Sequence, residues 1–520
     1  MATGAAHQLH GVEPLLEQVD RLRLDACRRL DPSRRSQLGQ FLTPPPVARF
    51  MARLFAPFPR KVRALDAGAG VGTLFSAMVA EATGRNEPPK DFQVVAYELD
   101  PLMAEYLDRT MGACRSEAAA HGVRFTGDIV RDDFIGRAVS RLDAGLLGRS
   151  RLEGFTHAIL NPPYKKLSSS SVARLALRRI GIEASNLYAA FLALAVRLLE
   201  DGGELVAITP RSFCNGPYFR AFREAFLGTM SLRHIHVFES RATAFSDDEV
   251  LQENVIIHAV KGRQTPEVVV SSSAGPDDDI AVRTVPFERI VRKDDAEHFI
   301  HVVPDELGQQ IADLFAHFTC SLEQLGLGVS TGRVVDFRAK SFLRQDPDLT
   351  TGPLIYPTHF RHGTIAWPKI GKKPNALVDC PETASLWVPS DTYVLVKRFS
   401  SKEEKRRVVA AVFDPTTLPA KKIGFENHLN VFHSRGAGLD PNLARGLAAF
   451  LNSTIVDTCF RQFNGHTQVN ATDLRNLKYP HTGALCALGE RLGDGAWGQE
   501  GIDALVLELV TPRAGQDGAQ

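Results

Sequence analysis

The short stretch Asn161-Pro162-Pro163-Tyr164 combines residue types that can hold and cover a planar, nitrogen-bearing group. The asparagine supplies an amide, the two prolines stiffen the backbone and lack N–H donors, and the tyrosine offers an aromatic face. The apolar run 155–160 before it predicts a buried strand that ends at the prolines. Ligands bind at the carboxyl ends of strands in open α/β sheets, so this is a candidate site. A plain proline-rich turn is the structural alternative.

A glycine-rich turn, Asp66-Ala67-Gly68-Ala69-Gly70-Val71-Gly72, follows a predicted strand at 62–65 and precedes a predicted helix at 73–82. Such a turn lets a ligand approach backbone amides. The pattern differs from the dinucleotide fingerprint, because an acidic residue opens the turn and no separate pyrophosphate cradle follows. A carboxylate at this place suits the ammonium and sulfonium of S-adenosylmethionine (SAM) better than it suits NAD. A generic nucleotide turn is the alternative.

Acidic residues also follow the next two predicted strands. Glu98 comes directly after the strand predicted at 92–97, where a carboxylate can accept both hydroxyls of a ribose. After the strand predicted at 123–125, an acid followed by an aromatic ring can bind an adenine amine and cover its face. The spacing alone leaves open which acid has that role, and a surface turn is the alternative. The acids there are Asp128, Asp132 and Asp133, and Phe134 follows the last of them.

Upstream of these motifs, Thr43 precedes three prolines and a helical run at 47–55. The pattern predicts that Thr43 caps this helix and that Pro44 occupies its first position. The functional alternative is that the hydroxyl of Thr43 meets a ligand at the exposed start of the helix.

The 520 residues predict two or three domains. Strands alternate with helices over 36–261, which predicts a doubly wound α/β domain with its chemistry on the carboxyl-edge loops. Short strands and polar loops predict a mixed α+β region further on. We divide the chain into an N-terminal helix (1–35), the α/β domain (36–261), a linker of turn composition (262–310), the mixed region (311–485) and a tail (486–520).

Charge and composition limit the classes of function. The net charge of +1 argues against a polyanion ligand, but residues 311–480 carry 21 Lys and Arg against 15 Asp and Glu. Basic clusters at 369–373, 397–407 and 421–422 alternate with aromatic and amide residues, which favours a nucleic-acid surface.

The seven scattered cysteines indicate reduced thiols and predict no zinc site. No signal peptide and no membrane span is predicted, so we expect a cytoplasmic protein.

These stretches together resemble the gamma-class DNA adenine-N6 methyltransferases, especially the TaqI-like enzymes of type II restriction–modification systems. The resemblance covers roughly residues 36–480, in the order cofactor motifs, catalytic motif, recognition domain. The stretches that carry it are 39–51, 66–72, 98–101, 133–134, 161–164, 186–203 and 450–453.

The resemblance implies a site-specific, metal-independent transfer of a methyl group from SAM to N6 of a flipped-out adenine in double-stranded DNA. It makes 36–261 the catalytic domain and 311–485 the target-recognition domain, and it selects Asp133 among the three acids. We expect a monomer in the nucleoid that protects DNA from a cognate restriction endonuclease. The implied catalytic residues are Asn161, Pro162, Tyr164 and Phe245, and the implied cofactor-binding residues are Thr43, Asp66, Ala67, Gly68, Ala69, Glu98, Asp133, Phe134, Pro163 and Phe191.

Other readings stay open at this point. The same tetrapeptide could methylate an RNA adenine or a protein glutamine, whose amide nitrogen has a similarly conjugated lone pair. Pro347-Asp348 together with Glu403-Glu404-Lys405 mimics a nuclease pattern, which would fit a fused restriction enzyme. A DNA-binding subunit with an inactive methyltransferase fold is the non-enzymatic reading, and the intact acidic and glycine positions argue against it.

Overall fold

The computed structural model forms two compact units, divided between residues 304 and 305. No helix in the part of the chain that it describes is long and apolar enough to cross a membrane. The described residues are 13–30, 42–146, 153–238, 254–293, 295–303, 306–400, 406–463, 468–493 and 498–509.

The first unit is organised around one sheet with the strand order β3-β2-β1-β4-β5-β7-β6-β8-β9. Strands β1 to β5 are parallel, β7 runs antiparallel to both of its neighbours, and β8 and β9 extend the sheet. The strand order reverses at β1 and β4, where open α/β sheets place their ligands. The predicted doubly wound fold is therefore confirmed. The strands are Lys61–Ala67 (β1), Asp91–Tyr97 (β2), Arg124–Val130 (β3), Phe155–Leu160 (β4), Leu199–Pro210 (β5), Met230–Phe238 (β6), Asn254–Lys261 (β7), Glu267–Ser273 (β8) and Ala281–Pro286 (β9).

Helices cover both faces of this sheet. Along β1, Ala64 joins one hydrophobic core and Leu65 joins the other, because successive side chains of a strand point to opposite faces. Burial on both faces explains why these strands read as continuous apolar runs. The helices are Glu13–Arg29 (α1), Pro45–Arg53 (α2), Thr73–Gly84 (α3), Pro101–Ala120 (α4), Phe134–Leu146 (α5), Val172–Arg179 (α6), Leu187–Leu198 (α7), Ser212–Asn215 (α8), Arg220–Thr229 (α9) and Phe287–Ile290 (α10).

The loop that begins at Asn161 follows β4 directly, as predicted. Its far end is tied to the start of α7. The N–H of Leu187 donates to the carbonyl of Lys165 over 2.8 Å, and the N–H of Leu167 donates to the carbonyl of Ser185 over 2.8 Å. The loop therefore has both ends fixed to regular structure.

Two local expectations differ from the structure. Residues 267–286, which we assigned to a linker, form β8 and β9, because Val268 and Val270 alternate into the core and the Asp-rich stretch is only a hairpin connection. The predicted cap of α2 is wrong. Pro44 is the N-cap in an extended conformation, and Thr43 lies one residue outside the helix. The extended backbone of Pro44, with a ψ of 149°, agrees with the bias of a residue that precedes a proline.

The second unit contains two further sheets, with orders β10-β20-β17-β18-β14-β13 and β11-β15-β12-β19-β16. Most neighbouring strands are antiparallel, and the β12–β19 and β14–β18 pairs are parallel. The strands are Gly328–Thr331 (β10), Leu343–Arg344 (β11), Thr351–Ile355 (β12), Phe360–Arg361 (β13), Thr364–Ile365 (β14), Ala376–Val378 (β15), Trp387–Pro389 (β16), Tyr393–Lys397 (β17), Ala410–Phe413 (β18), Lys422–Phe425 (β19) and Leu429–His433 (β20).

Among the residues that the structure describes, six α-helices complete this second unit. Ile502 and Val506 of the last helix are buried in the same core as Leu447, so the described part of the predicted tail packs as an element of the unit. The helices are Glu306–Phe315 (α11), Pro441–Leu451 (α12), Thr454–Phe463 (α13), Ala471–Asn476 (α14), Thr482–Leu492 (α15) and Gln499–Glu508 (α16).

Candidate active site

A cavity of about 150 Å³ opens at the carboxyl edge of the first sheet, where β1, β2 and β4 end. Seven of the residues selected from the sequence line it together: Gly68, Glu98, Asp133, Phe134, Asn161, Pro163 and Phe191. Its remaining lining residues are Leu30, Leu42, Gly70, Tyr97, Leu99, Met103, Asp132 and Leu187.

The glycine turn is held open toward this cavity. The N–H groups of Gly68 and Ala69 both donate to the carbonyl of Tyr97, over 3.0 and 2.9 Å. Gly68 has a φ of +78°, and a Cβ placed there would lie 3.6 Å from the ring of Phe191 and 3.9 Å from Pro163. Glycine therefore permits this backbone conformation and leaves the space beside the two rings unfilled.

Glu98 is fixed at the cavity wall by the backbone on both of its sides. Its Oε2 accepts from the N–H of Gly70 and its Oε1 accepts from the N–H of Asp100, each over 2.8 Å. Burial raises the pKa of Glu98 to about 7, although these two N–H groups oppose the shift. A carboxylate with both oxygens anchored in this way keeps one orientation and can accept further hydrogen bonds from hydroxyl groups.

Asp66 lies at the end of β1 and is completely buried. It does not line the cavity, and neither do Ala67 and Ala69. Neither oxygen of Asp66 has a well-formed hydrogen bond among the described residues. Burial raises its pKa to about 8, the N–H of Phe75 opposes the shift, and the charge of Glu98 adds to it. A cationic ligand group would lower the free energy of ionising these two buried carboxyl groups, and the predicted cofactor has such a group.

The three candidate acids after β3 occupy different places. Asp128 lies within β3, where it accepts a 3.3 Å hydrogen bond from Gln93, and it does not line the cavity. Asp133 accepts from the N–H of Gly136 over 2.7 Å and thereby caps α5. Asp132 lies beside it and accepts from Nε of Arg137 over 2.6 Å. The cavity is thus lined by two neighbouring acids, of which the sequence reading selected Asp133.

Three aromatic rings form an apolar part of the same wall. The ring of Phe134 meets that of Tyr97 edge-on, with centroids 5.0 Å apart, and its centroid also lies 5.0 Å from that of Phe191. Such a wall can cover the face of a planar ring system.

Asn161 is oriented by Thr43. The Nδ2 of Asn161 donates to the Oγ1 of Thr43 over 3.0 Å, and Thr43 itself is buried. Thr43 is not among the residues that line the cavity, and its hydroxyl accepts from the amide of Asn161, which does line it. Because the amide nitrogen is turned toward Thr43, the amide oxygen points to another side.

Tyr164 packs at the other end of the tetrapeptide. Its ring meets the ring of Tyr188 edge-on at 6.1 Å, and Tyr188 stacks on Phe219 at 5.4 Å. Burial raises the pKa of Tyr164, so its hydroxyl stays neutral. Neither Tyr164 nor Pro162 lines the cavity, and the predicted Phe245 lies outside the described residues.

Some lining residues were missed in the sequence. Leu99 is 63% exposed in the folded protein. Its place directly after Glu98, at the end of a predicted strand, is the signal that could have been used. Met103 stands one helical turn further along. Leu30 and Leu42 come from segments distant in sequence, and only the folded chain brings them to the cavity.

The nuclease-like pattern divides between described and undescribed residues. Asp348 holds a local turn, because its Oδ1 accepts from both the N–H and the hydroxyl of Thr350 over 2.7 Å. The stretch 403–405 lies outside the described residues.

The chain is similar to proteins of known class over nearly all of its length. The family model of the Eco57I restriction-modification methylase matches residues 133–245. Type II methyltransferase M.PstI of Providencia stuartii is 44% identical over 495 residues, which cover 95% of this chain and 96% of that protein. Type II methyltransferase M.BsuBI of Bacillus subtilis is 45% identical over 503 residues, which cover 95% and 98%.

Among solved structures, the type IIL restriction-modification enzyme MmeI in complex with DNA superposes with a TM-score of 0.54 at 12% identity. The match covers 95% of this chain and 73% of that one, which supports a shared fold. Since the identity to both type II methyltransferases extends over almost the whole of each sequence, this protein belongs to the type II methyltransferases of restriction–modification systems.

Proposed function

We propose that the protein transfers a methyl group from SAM to N6 of an adenine flipped out of duplex DNA. One observation carries the proposal. Asn161, whose amide can bind an exocyclic amine, lines the same cavity as Glu98, whose carboxylate can bind ribose hydroxyls. The amine-binding group and the cofactor-binding group thus share one cavity.

The tetrapeptide would act on the nitrogen itself. The lone pair of N6 is delocalised into the adenine ring, so the amine is a poor nucleophile. Two acceptors aimed at its hydrogens, the side-chain oxygen of Asn161 and the backbone carbonyl of Pro162, would favour the tetrahedral form with a localised lone pair. The two prolines and the bond from Asn161 to Thr43 would fix these acceptors before the substrate arrives, so that little reorganisation is needed.

Tyr164 would stack on the flipped base, and Phe245 is the predicted opposite face. Extruding a base costs a few kcal/mol, which stacking helps to offset. The packing of Tyr164 against Tyr188 supports this role, because a ring that is already held loses little conformational entropy on binding.

SAM would supply an electrophilic methyl group on its sulfonium. The residues fit such a cofactor. Glu98 would accept the ribose hydroxyls, Asp133 or Asp132 the adenine amine, and the rings of Phe134 and Phe191 would cover the adenine. Gly68 and Pro163 would border it, and Asp66, together with the Ala67 and Ala69 backbone, would act from behind the turn by attracting the positive charge.

The test is a methylation assay on unmethylated plasmid DNA with tritiated SAM, followed by identification of the modified nucleoside. We expect N6-methyladenine from the wild-type protein. Asn161→Ala should lower transfer by about 10²–10³-fold or more, because an interaction formed in the transition state is lost. Its affinity for SAM should stay within a few-fold of the wild type.

Asn86→Ala is the matched control, because Asn86 is exposed in the first unit just before β2, away from the carboxyl edge of the sheet, and should not affect transfer. Retained activity in Asn161→Ala, or label in a cytosine, would contradict the proposal. Label in RNA or in a glutamine-containing peptide, with none in DNA, would select the alternative substrates.

We further propose that the second unit recognises the target sequence and that the modification protects DNA from a cognate endonuclease. The excess of basic residues over 311–480 supports this. Stable association with the endonuclease is not required for protection, and we propose that the enzyme acts as a monomer on chromosomal DNA. Light scattering of the purified protein, with and without a DNA duplex, measures the oligomeric state.

A further inference from the structure

The three basic clusters of the second unit are not equivalent. In the 397–407 cluster, Arg407 is fully buried and donates to the carbonyl of Ser400, and Arg406 donates to the carbonyl of Asn452. In the 421–422 cluster, Lys422 pairs with Asp379. These cations stabilise the fold. In the cluster at 369–373, Lys369 and Lys372 are exposed at the surface.

Residues 367–374, which we call the Ile370 loop, are built around the buried side chain of Asn375. Its Oδ1 accepts from the N–H of Lys369 over 2.9 Å and lies 2.9 Å from Nε2 of His359. Its Nδ2 donates to the carbonyls of Gln345 and Lys369, each over 3.0 Å. The loop is therefore held from inside by one amide.

Further bonds close the loop. The indole Nε1 of Trp367 donates to the carbonyl of Asn375 over 2.8 Å, and the Nε2 of Gln345 donates to the carbonyl of Gly371 over 2.6 Å. The loop conformation is thus set by its own backbone and by buried amides. Of the exposed side chains, Lys369 also fastens the loop, because its Nζ donates to the carbonyl of Thr358 over 2.8 Å.

Ile370, at the tip, is 102% exposed and gains no packing within the protein. Lys372 is also exposed, and among the described residues it has no acidic partner. Residues 336–338 are joined to the Ile370 loop by Asp336, whose carboxylate pairs with Lys373 over 2.8 Å. Beside Asp336, Phe337 is 76% exposed, and the guanidinium of Arg338 lies 5.4 Å from its ring centroid.

A rigid loop that presents an apolar tip between cations fits a partner with a negatively charged exterior and an apolar, stacked interior. Duplex DNA has both properties. Lysine side chains contact its phosphates, and branched apolar side chains contact thymine methyl groups or enter between base steps. Fixing the loop in advance lowers the entropy lost on binding.

We propose that the Ile370 loop enters a groove of duplex DNA, with Ile370 against the bases and Lys372 against the phosphate backbone. This inference rests on the proposed function, since it names the part of the second unit that contacts the DNA. It makes Ile370 a specificity-determining residue and Lys372 a sequence-independent contact.

The experiment measures binding of a fluorescein-labelled duplex by anisotropy, at several salt concentrations and without turnover. One duplex contains the site found by mapping modified bases in plasmid DNA, and a second lacks it. Ile370→Ala should weaken binding to the first duplex by about tenfold and leave binding to the second nearly unchanged. Lys372→Ala should weaken both equally and reduce the slope of log affinity against log salt by about 1.

Leu507→Ala and Lys478→Ala are the matched controls, because both residues are exposed elsewhere on the same unit. If Ile370→Ala and Lys372→Ala bind both duplexes as the wild type does, the inference is wrong while the proposed function stands. If the wild-type protein forms no N6-methyladenine in DNA, the proposed function fails. Unchanged hydrogen exchange of the second unit, measured by mass spectrometry, shows that its fold is intact in both variants.

Discussion

Two loops of this protein each contain two prolines and are each associated with one asparagine, but the two asparagines act in opposite ways. In the tetrapeptide loop, Asn161 is half-buried, donates to Thr43 and lines the cavity. Directly after the Ile370 loop, Asn375 is 2% exposed, and its amide is engaged on all sides by the protein. The first asparagine lines a cavity, and the second holds a loop that exposes the side chains of Ile370 and Lys372.

The difference shows that residue type alone does not identify a functional amide. What separates the two is burial and the saturation of hydrogen-bonding capacity. A saturated, buried amide is structural, whereas a half-buried amide at a cavity wall is available for chemistry. The predictions below test this separation.

The largest expected effect is on stability, in Asn375→Ala. The change leaves several buried backbone groups without partners, and each such group costs about 1–3 kcal/mol. We expect the second unit to lose about 3 kcal/mol or more of unfolding free energy, whereas Asn161→Ala should cost the first unit less than about 1 kcal/mol. Hydrogen exchange measured by mass spectrometry resolves the two units. Equal losses in the two variants would remove the distinction between the loops.

A second prediction concerns pH and the acid behind the cavity. Burial raises the pKa of Asp66 to about 8 in the folded protein. The unfolded chain ionises Asp66 near pH 4, so the folded state loses stability as pH rises and the loss is complete above pH 8. Between pH 6.5 and 8 the unfolding free energy should fall by about 2 kcal/mol.

Urea denaturation at pH 6.5, 7.25 and 8 measures this slope. Asp66→Asn removes the group and should flatten the profile by that amount, because an amide has no charge to bury. Saturating SAM should flatten it as well, since a bound cation stabilises the ionised carboxyl. A wild-type slope identical to that of Asp66→Asn would mean that the buried carboxyl does not contribute.

The third prediction tests whether Thr43 positions Asn161. Thr43→Val keeps the shape and removes the acceptor of the Asn161 amide. We expect kcat to fall about tenfold, equivalent to about 1.4 kcal/mol, with the KM for SAM little changed. Thr43→Ser should restore most of the activity, because it restores the hydroxyl. A loss that appears in KM for SAM would instead support the direct cofactor contact expected from the sequence.

The smallest effect is expected at the surface of the Ile370 loop. Lys373→Met breaks the partly exposed pair with Asp336, which keeps its 2.7 Å hydrogen bond from Tyr356. Pairs of this kind contribute less than about 1 kcal/mol, so stability should hardly change. A loss comparable to that of Asn375→Ala, measured by the same hydrogen exchange, would show that the ion pair and not the buried amide holds the loop.

The sequence predicts much of the catalytic edge, because its determinants are local. Prolines end β4 at Asn161, glycines with positive φ shape the turn after β1, and Glu98 follows β2 directly. Each of these features depends on neighbouring residues. The order of the strands then brings them together, because the carboxyl ends of parallel strands lie at one edge of a doubly wound sheet.

The parts of the candidate site that local sequence patterns could not predict depend on packing between residues that are distant in the sequence. Leu30 and Leu42 reach the cavity from before the first strand. Leu42 adjoins the candidate Thr43, whereas nothing in the neighbourhood of Leu30 marks it. The hydrogen bond between Thr43 and Asn161 joins residues 118 apart in the sequence. In the second unit, charge runs look alike in sequence, and only burial distinguishes Arg407 from Lys372.

The hydrogen bond between the Trp367 indole and the Asn375 carbonyl has an optical consequence. All of the protein's three tryptophans, at 367, 387 and 497, belong to the second unit. Intrinsic emission excited at long ultraviolet wavelengths therefore originates from that unit, and Trp367 stands at the base of the Ile370 loop. Any ligand that disturbs the loop changes the surroundings of this indole, so the molecule carries a label-free fluorophore at the surface where DNA is expected.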